Sequence, residues 1–212
     1  MAGSYTLYGA RGSGAVAVEA ALTLIGAPYE LIGAYTFNPD TPESGDKVLT
    51  ANPMRQVPAL VLPSGEVLTE SAAILIWLAE AHPDARLAPA TGDPRRGQFL
   101  RWMAFVSSAI YALYWVKDEP ARLAPDPAAH PALVERTLER IAQCWGIMDG
   151  QLTPGTYLLG EQLTVLDLYV NVVSRFRPRR ARFYKVAPGM AEAVRRVDAD
   201  PRLAPLWKAR MG

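Results

Sequence analysis

Reactive and metal-binding side chains are scarce in this chain, which has one cysteine and two histidines among 212 residues. A single cysteine excludes an intrachain disulfide framework and suits a reducing compartment. His82 and His130 each sit beside a proline, far from any second pair of ligands, so no metal site is expected. Net charge is scarce as well: 22 Lys and Arg against 21 Asp and Glu leave +1. That balance gives no bulk attraction to nucleic acid or to a membrane surface, and neither is expected as a partner. No uninterrupted apolar run approaches the ~20 residues needed to cross a bilayer. The stretch Met1-Ala-Gly-Ser-Tyr5 has no basic region leading into an apolar one, so no signal peptide is expected and the plain reading is cytoplasmic. Gly12-Ser13-Gly14 lacks both the lysine and the spacing of a phosphate-binding loop.

Apolar residues, by contrast, make up 50% of the chain, enough for a sizeable core in one large or two small domains. Tyr5-Thr-Leu-Tyr8 alternates as a strand does. Gly9 to Gly14 is a loop with three glycines, and Ala15 to Ile25 follows as a helix. That helix is apolar on nearly every side except at Glu19 and Thr23, which predicts burial. Gly26-Ala-Pro28 stops it, and Tyr29 to Ile32 reads as a second strand. Strand, helix, strand predicts a parallel pair with a right-handed crossover. Phe37 to Gly45 is a Pro-rich polar loop, with a short helix expected around Asp46 to Leu49.

The stretch from Gln56 to Ser71 organises what surrounds it. Ala59 to Leu62 is a short apolar strand, Pro63-Ser64-Gly65 has turn chemistry, and Val67-Leu68 resumes the strand pattern. Pro58 has no N–H to give, which fits an edge, a first strand residue or a cis turn. Thr69 is a good N-cap for the helix running from Ser71 to Glu80. At that helix start the free N–H groups, the Ser71 hydroxyl and the dipole favour an anion, while Glu70 favours a cation. A ligand with an ammonium and a carboxylate on one carbon satisfies both. The blander reading is that Glu70 complements the dipole and Ser71 helps to cap.

Leu87-Ala-Pro-Ala-Thr-Gly-Asp-Pro94 reads as a linker, which places a boundary at 83–93 between domains at 1–82 and 94–212. Asp93 is expected to cap a long helix carrying Arg95, Arg96, Arg101 and Trp102. On it Phe99, Trp102, Met103, Val106, Ile110, Leu113 and Tyr114 recur at spacings of three and four, as core residues do. The stretch from Asp118 to Pro131 is irregular. Pro131 to Leu152 is helical, with Leu133, Thr137, Ile141, Cys144, Trp145 and Met148 on one face. Thr164 and Asp167 form a capping box flanked by a Leu163–Leu168 staple, so Asp167 is structural and a buried helix runs from Val165 to about Phe176. The five arginines between Arg175 and Arg182 read as a solvated surface, not a nucleic-acid site.

Gln56-Val57-Pro58 followed by Glu70-Ser71-Ala-Ala-Ile74 resembles the glutathione-binding half of the cytosolic glutathione S-transferases. The resemblance covers most of the chain and is strongest in residues 5–80. It implies an α/β thioredoxin-like N-terminal domain plus an all-α C-terminal domain, with glutathione as co-substrate and a homodimer. It implies a cis Val57-Pro58 bond, the Val57 backbone pairing with the cysteinyl part, Glu70 and Ser71 holding the γ-glutamyl head, and Gln56 near the glycyl end. The partner substrate it implies is a small hydrophobic electrophile, lying between the glycine loop and the long helix. Met103, Tyr111, Tyr114 and Trp115, with Phe105, offer an apolar lining there, and Arg11 could face an anionic electrophile.

Such an enzyme must ionise a thiol whose ordinary pKa is about 8.5; lowering it by two units takes ~2.7 kcal/mol. Ser13, at the start of the first helix, is the expected catalytic donor. Tyr8 at the strand end and a backbone N–H at Gly14 or Ala15 are the alternatives, and the blander reading of Ser13 is that it only caps the helix. With no cysteine in the loop, the classes that form mixed disulfides with glutathione are disfavoured. The absence of Ser-Ser-Cys likewise disfavours maleylacetoacetate isomerase activity. Rival functions are glutathione-dependent reduction of disulfides or peroxides, a non-catalytic ligand-binding module, and a dimerisation scaffold.

Overall fold

The computed structural model describes residues 4–36 and 42–211. Its sheet has four strands in the order β2-β1-β3-β4. β1 (Tyr5–Gly9) runs parallel to β2 (Tyr29–Gly33), with Tyr5 opposite Tyr29 and Gly9 opposite Gly33. It is antiparallel to β3 (Ala59–Val61), which in turn pairs antiparallel with β4 (Val67–Leu68). Alternation divides the two faces. Tyr5, Leu7 and Leu60 point into a core shared with α1 (Ala15–Ile25) and α3 (Ser71–Ala81). Ala59 faces the other way, into a small cluster with Ala34 and Val48 against which Tyr8 and Val57 pack. This is a thioredoxin-like N-terminal domain, with the parallel β-α-β unit that the sequence predicts.

Two local expectations change. The short helix, α2, lies at Pro42–Asp46, earlier than Asp46–Leu49, and only turns follow it. Proline suits the first helical position, where its missing N–H costs nothing, and Glu43 in the first turn complements the dipole. The rest of the Pro-rich loop, residues 37–41, lies outside the described residues. Nor does Thr69 cap α3: the residue before the helix is Glu70, at φ 63° and ψ 105°, with no side-chain cap.

The helical region begins with α4 (Arg96–Phe105), which passes through a π-helical turn at Val106–Tyr111 into α5 (Leu113–Asp118). Asp93 does not cap α4 directly. Its carboxylate accepts the Arg95 N–H at 2.8 Å and grips the Arg95 guanidinium, shaping the turn before the helix. Inside the π turn the Ala112 N–H reaches the Ser107 carbonyl, five residues back, at 3.0 Å. The Ser108 hydroxyl meanwhile donates to the Ala104 carbonyl at 2.8 Å, competing with the regular ladder. The 23 residues Arg96–Asp118 have the length and composition of a membrane span. Yet Phe99, Trp102, Met103, Val106 and Ile110 are fully buried in the core, which is where an apolar helix of a compact fold belongs.

α6 (His130–Asp149), α7 (Val165–Val173), α8 (Arg179–Val186), α9 (Ala191–Asp198) and α10 (Ala204–Arg210) complete the chain. One continuous core runs from β1, α1 and α3 into α4, α6, α7 and α9. α7 is buried throughout and ends three residues short of Phe176. The arginine cluster is only partly a solvated surface. Arg177, Arg179 and Arg182 are exposed, but Arg175 and Arg180 converge on Asp198, which also accepts from Asn171 at 2.8 Å. Arg180 donates as well to the Asn171 carbonyl at 2.9 Å, tying α8 to α7 and α9.

The capping box forms as the sequence predicts. Asp167 accepts the Thr164 N–H, the Thr164 hydroxyl and the Leu158 N–H, each at 2.8 Å. Burial pushes its carboxyl from 3.8 up to about 6, outweighing the donors that favour the charged form. A raised folded-state pKa means that the stability from this group is fully present below its unfolded pKa and is lost as pH rises through about 6. Asparagine cannot titrate. Asp167→Asn should therefore cost most near pH 4.5 and less at 7.5, the gap narrowing by ~2 kcal/mol. Urea unfolding of both proteins across that range checks this; a pH-independent difference overturns it.

Candidate active site

The loop between β1 and α1 is closed by its own serine. The buried Ser13 hydroxyl donates to the Ala10 carbonyl at 2.7 Å and accepts the Ala15 N–H at 3.2 Å and the Ala10 N–H at 3.4 Å. The Ala10 carbonyl also takes the Ser13 N–H at 3.3 Å. Of the backbone donors nominated from sequence, Ala15 is thus on Ser13, and Gly14 gives its N–H to the Tyr111 hydroxyl at 2.9 Å. Tyr8 lies on the opposite sheet face from α1, its hydroxyl 3.4 Å from that of Thr50. Arg11 is exposed at the loop's rim.

The segment entering β3 is held from behind by Asn52. This buried amide donates to the Gln56 carbonyl at 3.0 Å and accepts the Met54 N–H at 3.0 Å. The Val57-Pro58 bond is cis, with Gln56 and Val57 half-buried and Pro58 buried. Arg55, at φ 55°, reaches Asp46 at 2.7 Å and the Thr36 carbonyl at 3.0 Å. Only the Asn-Pro dipeptide at 52–53 hinted at this brace.

At the start of α3, Glu70 extends an exposed carboxylate from a backbone conformation that a side chain rarely adopts, φ 63° with ψ 105°. Such strain costs ~1–3 kcal/mol and concentrates at functional sites. The buried Ser71 hydroxyl donates to that of Tyr169 at 2.9 Å. Ser107, in the π turn, lies near enough to the Tyr169 hydroxyl to oppose the rise in its pKa. The starts of α1 and α3 thus each meet a tyrosine hydroxyl from the helical region: Tyr111 on Gly14, Tyr169 on Ser71.

The two rings stand edge to face, 6.1 Å apart, and Tyr111 packs on Phe176 at 5.7 Å. Burial, Tyr169 and the charges of Asp118 and Glu70 all hold the Tyr111 phenol above its ordinary pKa, against the Gly14 N–H. Burial pushes Tyr169 up to about 12. Both remain neutral hydrogen donors at physiological pH. Of the residues nominated to meet a second substrate, Tyr111 and Tyr114 come together around Phe176, which sequence reasoning missed among the arginines. Trp115 is exposed with the Arg122 guanidinium 4.9 Å above its ring, whereas Met103 is fully buried in the core. Among the described residues no group of three or more His, Cys, Asp or Glu is placed to hold a metal ion.

A model of the glutathione S-transferase N-terminal domain matches residues 15–81. The GST-like protein YncG of Escherichia coli K12, itself uncharacterized, is 31% identical over 202 residues, 95% of this chain and 96% of its own. The chain belongs to the glutathione S-transferase family. A glutathione transferase homologue from Sulfitobacter, solved with bound glutathione, has the same fold, with a TM-score of 0.86 at 24% identity over 99% of both chains. A sphingomonad glutathione S-transferase complexed with glutathione gives 0.78 at 26% identity, covering 97% of this chain and 98% of that one.

On this glutathione S-transferase scaffold, Tyr111 approaches α1 so closely that only glycine fits beneath it. A Cβ on Gly14 would lie 2.4 Å from the Tyr111 hydroxyl and 2.7 Å from its ring. Gly14→Ala should destabilise the protein by ~1–3 kcal/mol through overpacking. In a Tyr111→Ala background the same substitution should cost much less. Denaturant titration of the four proteins reads the coupling, and additive effects would show that the contact is not tight.

Proposed function

We propose that this protein is a glutathione transferase that readies the glutathione thiol for attack on a small hydrophobic electrophile. The observation that carries the reading is the start of α3, where an exposed carboxylate on a strained residue stands beside a helix N-terminus and a buried hydroxyl. The γ-glutamyl ammonium would pair with Glu70, its carboxylate with the α3 amides and Ser71, and the cysteinyl backbone with Val57, with Gln56 towards the glycyl end.

Ser13 is the catalytic donor in this reading. Rotating its hydroxyl hydrogen from the Ala10 carbonyl to a bound sulfur leaves that carbonyl still served by the Ser13 N–H. The oxygen keeps accepting the Ala15 N–H, which polarises the hydroxyl towards the thiolate. The sulfur then forms a bond to the electrophilic carbon as the leaving group departs with its electron pair. Tyr111, Tyr114 and Phe176, with Trp115 and Arg11 at the rim, would receive the electrophile. We take the two parts to divide at 83–93, and the protein to act in the cytosol as a homodimer in detoxification. Reduction through a protein thiol is less well served, because the one cysteine, Cys144, is buried in α6 and burial raises its pKa.

Two substitutions test the site with opposite signatures. Glu70→Gly should relieve backbone strain and raise the unfolding temperature, while weakening glutathione roughly tenfold or more by calorimetry. Ser13→Ala should leave binding nearly intact, raise the bound thiol pKa by about one to two units and lower kcat/KM ten- to a hundredfold. A wild type that does not bind glutathione would sink the proposal.

A further inference from the structure

Arg210, the last residue of α10, holds both the glycine loop and the helix that follows it. Its carbonyl accepts the Gly12 N–H at 3.0 Å, and its guanidinium donates to Glu19 Oε2, on α1, at 3.0 Å. Glu19 is only 1% exposed, and Tyr29 donates to the same oxygen at 3.3 Å. Its other oxygen, Oε1, has no partner among the described residues. Burial pushes the Glu19 carboxyl up while Arg210 and Tyr29 pull it back. A carboxylate in this position contributes little to stability, since an apolar side chain would pack there without a desolvation cost. What the ion pair supplies instead is a fixed register between two elements 191 residues apart in the chain.

The other end of this strut is rigid. Trp207 on α10 is buried, donates to the Val197 carbonyl on α9 at 3.2 Å and lies under the Arg175 guanidinium at 5.3 Å. Gly12, at φ 67°, directly precedes Ser13. Movement of Gly12 therefore redirects the Ser13 hydroxyl, and a hydrogen bond to sulfur tolerates little misalignment. We propose that Arg210 is a positioning residue for thiol activation, fixing Gly12 and thereby the aim of Ser13 without touching glutathione. This inference rests on the proposed role of the loop.

The test compares wild type with Arg210→Met, Arg210→Lys and Glu19→Gln. Amide exchange without ligand is expected to quicken roughly tenfold at residues 12–15 in Arg210→Met, with α9 unchanged. With glutathione bound, the thiol pKa should rise and kcat should fall about fivefold or more, while KM for glutathione stays within about twofold. Arg210→Lys, which keeps the charge, should recover part of both effects. Glu19→Gln, which keeps the shape, should show a milder form of the Arg210→Met pattern and guards against a variant that fails to fold. A variant with lowered melting temperature but wild-type loop exchange and thiol pKa would overturn the inference, reducing Arg210 to a structural strut. Failure of the wild type to bind glutathione would instead overturn the functional reading beneath it.

Discussion

The hydrogen bond from the Gly14 amide to the Tyr111 hydroxyl sets the geometry on which the site depends. It joins the first turn of α1, in the sheet domain, to the helix that opens the helical region, at a separation only a glycine permits. With the Ser71–Tyr169 contact it fixes two helix starts against one aromatic cluster. The orientation of α1 relative to α3 is then held at the ends that matter, where orphan amides and hydroxyls collect, as well as along the buried sides. The continuous apolar core supplies most of the cohesion; these polar contacts choose one arrangement among the many an apolar core alone would accept.

Polar groups buried in this protein are used to fix loops, not to add stability in bulk. Asn52 holds the approach to β3, Asp167 the start of α7, Glu19 the register of α10 and Ser13 its own loop. Each spans a gap that backbone hydrogen bonds leave open. The price is desolvation, visible in the raised carboxyls of Glu19 and Asp167.

Features set by neighbours in sequence were legible. Helix α1 is bounded by Gly14 and Gly26 and carries an all-round apolar face, and it forms over the predicted residues. The Thr164–Asp167 box and the β3-turn-β4 hairpin likewise follow from spacing alone. What depends on distant partners was not legible. No local pattern reveals that Arg175 and Arg180 will find Asp198, or that Phe176 will complete an aromatic cluster with Tyr111. The Glu-Ser pair at 70–71 was visible as a likeness, yet its strained backbone and its tyrosine partner became apparent only in three dimensions. Thr69 failed as a cap because the chain enters α3 through Glu70 in a conformation that propensity does not anticipate.

The π turn at Val106–Tyr111 has a consequence for how this helix can vary. An α-helix turns about 100° per residue, so a wide turn carries in effect one residue more than the regular ladder needs. Removing one residue from this stretch would let the ladder close regularly and leave the helix on either side close to its present phase. The same removal from the regular turns of α4 would instead rotate one side by about 100°, taking either Tyr111 from Gly14 or Phe99 and Trp102 from the core. The π turn is therefore the one place in this helix where the chain can lose a residue without turning its two ends against each other.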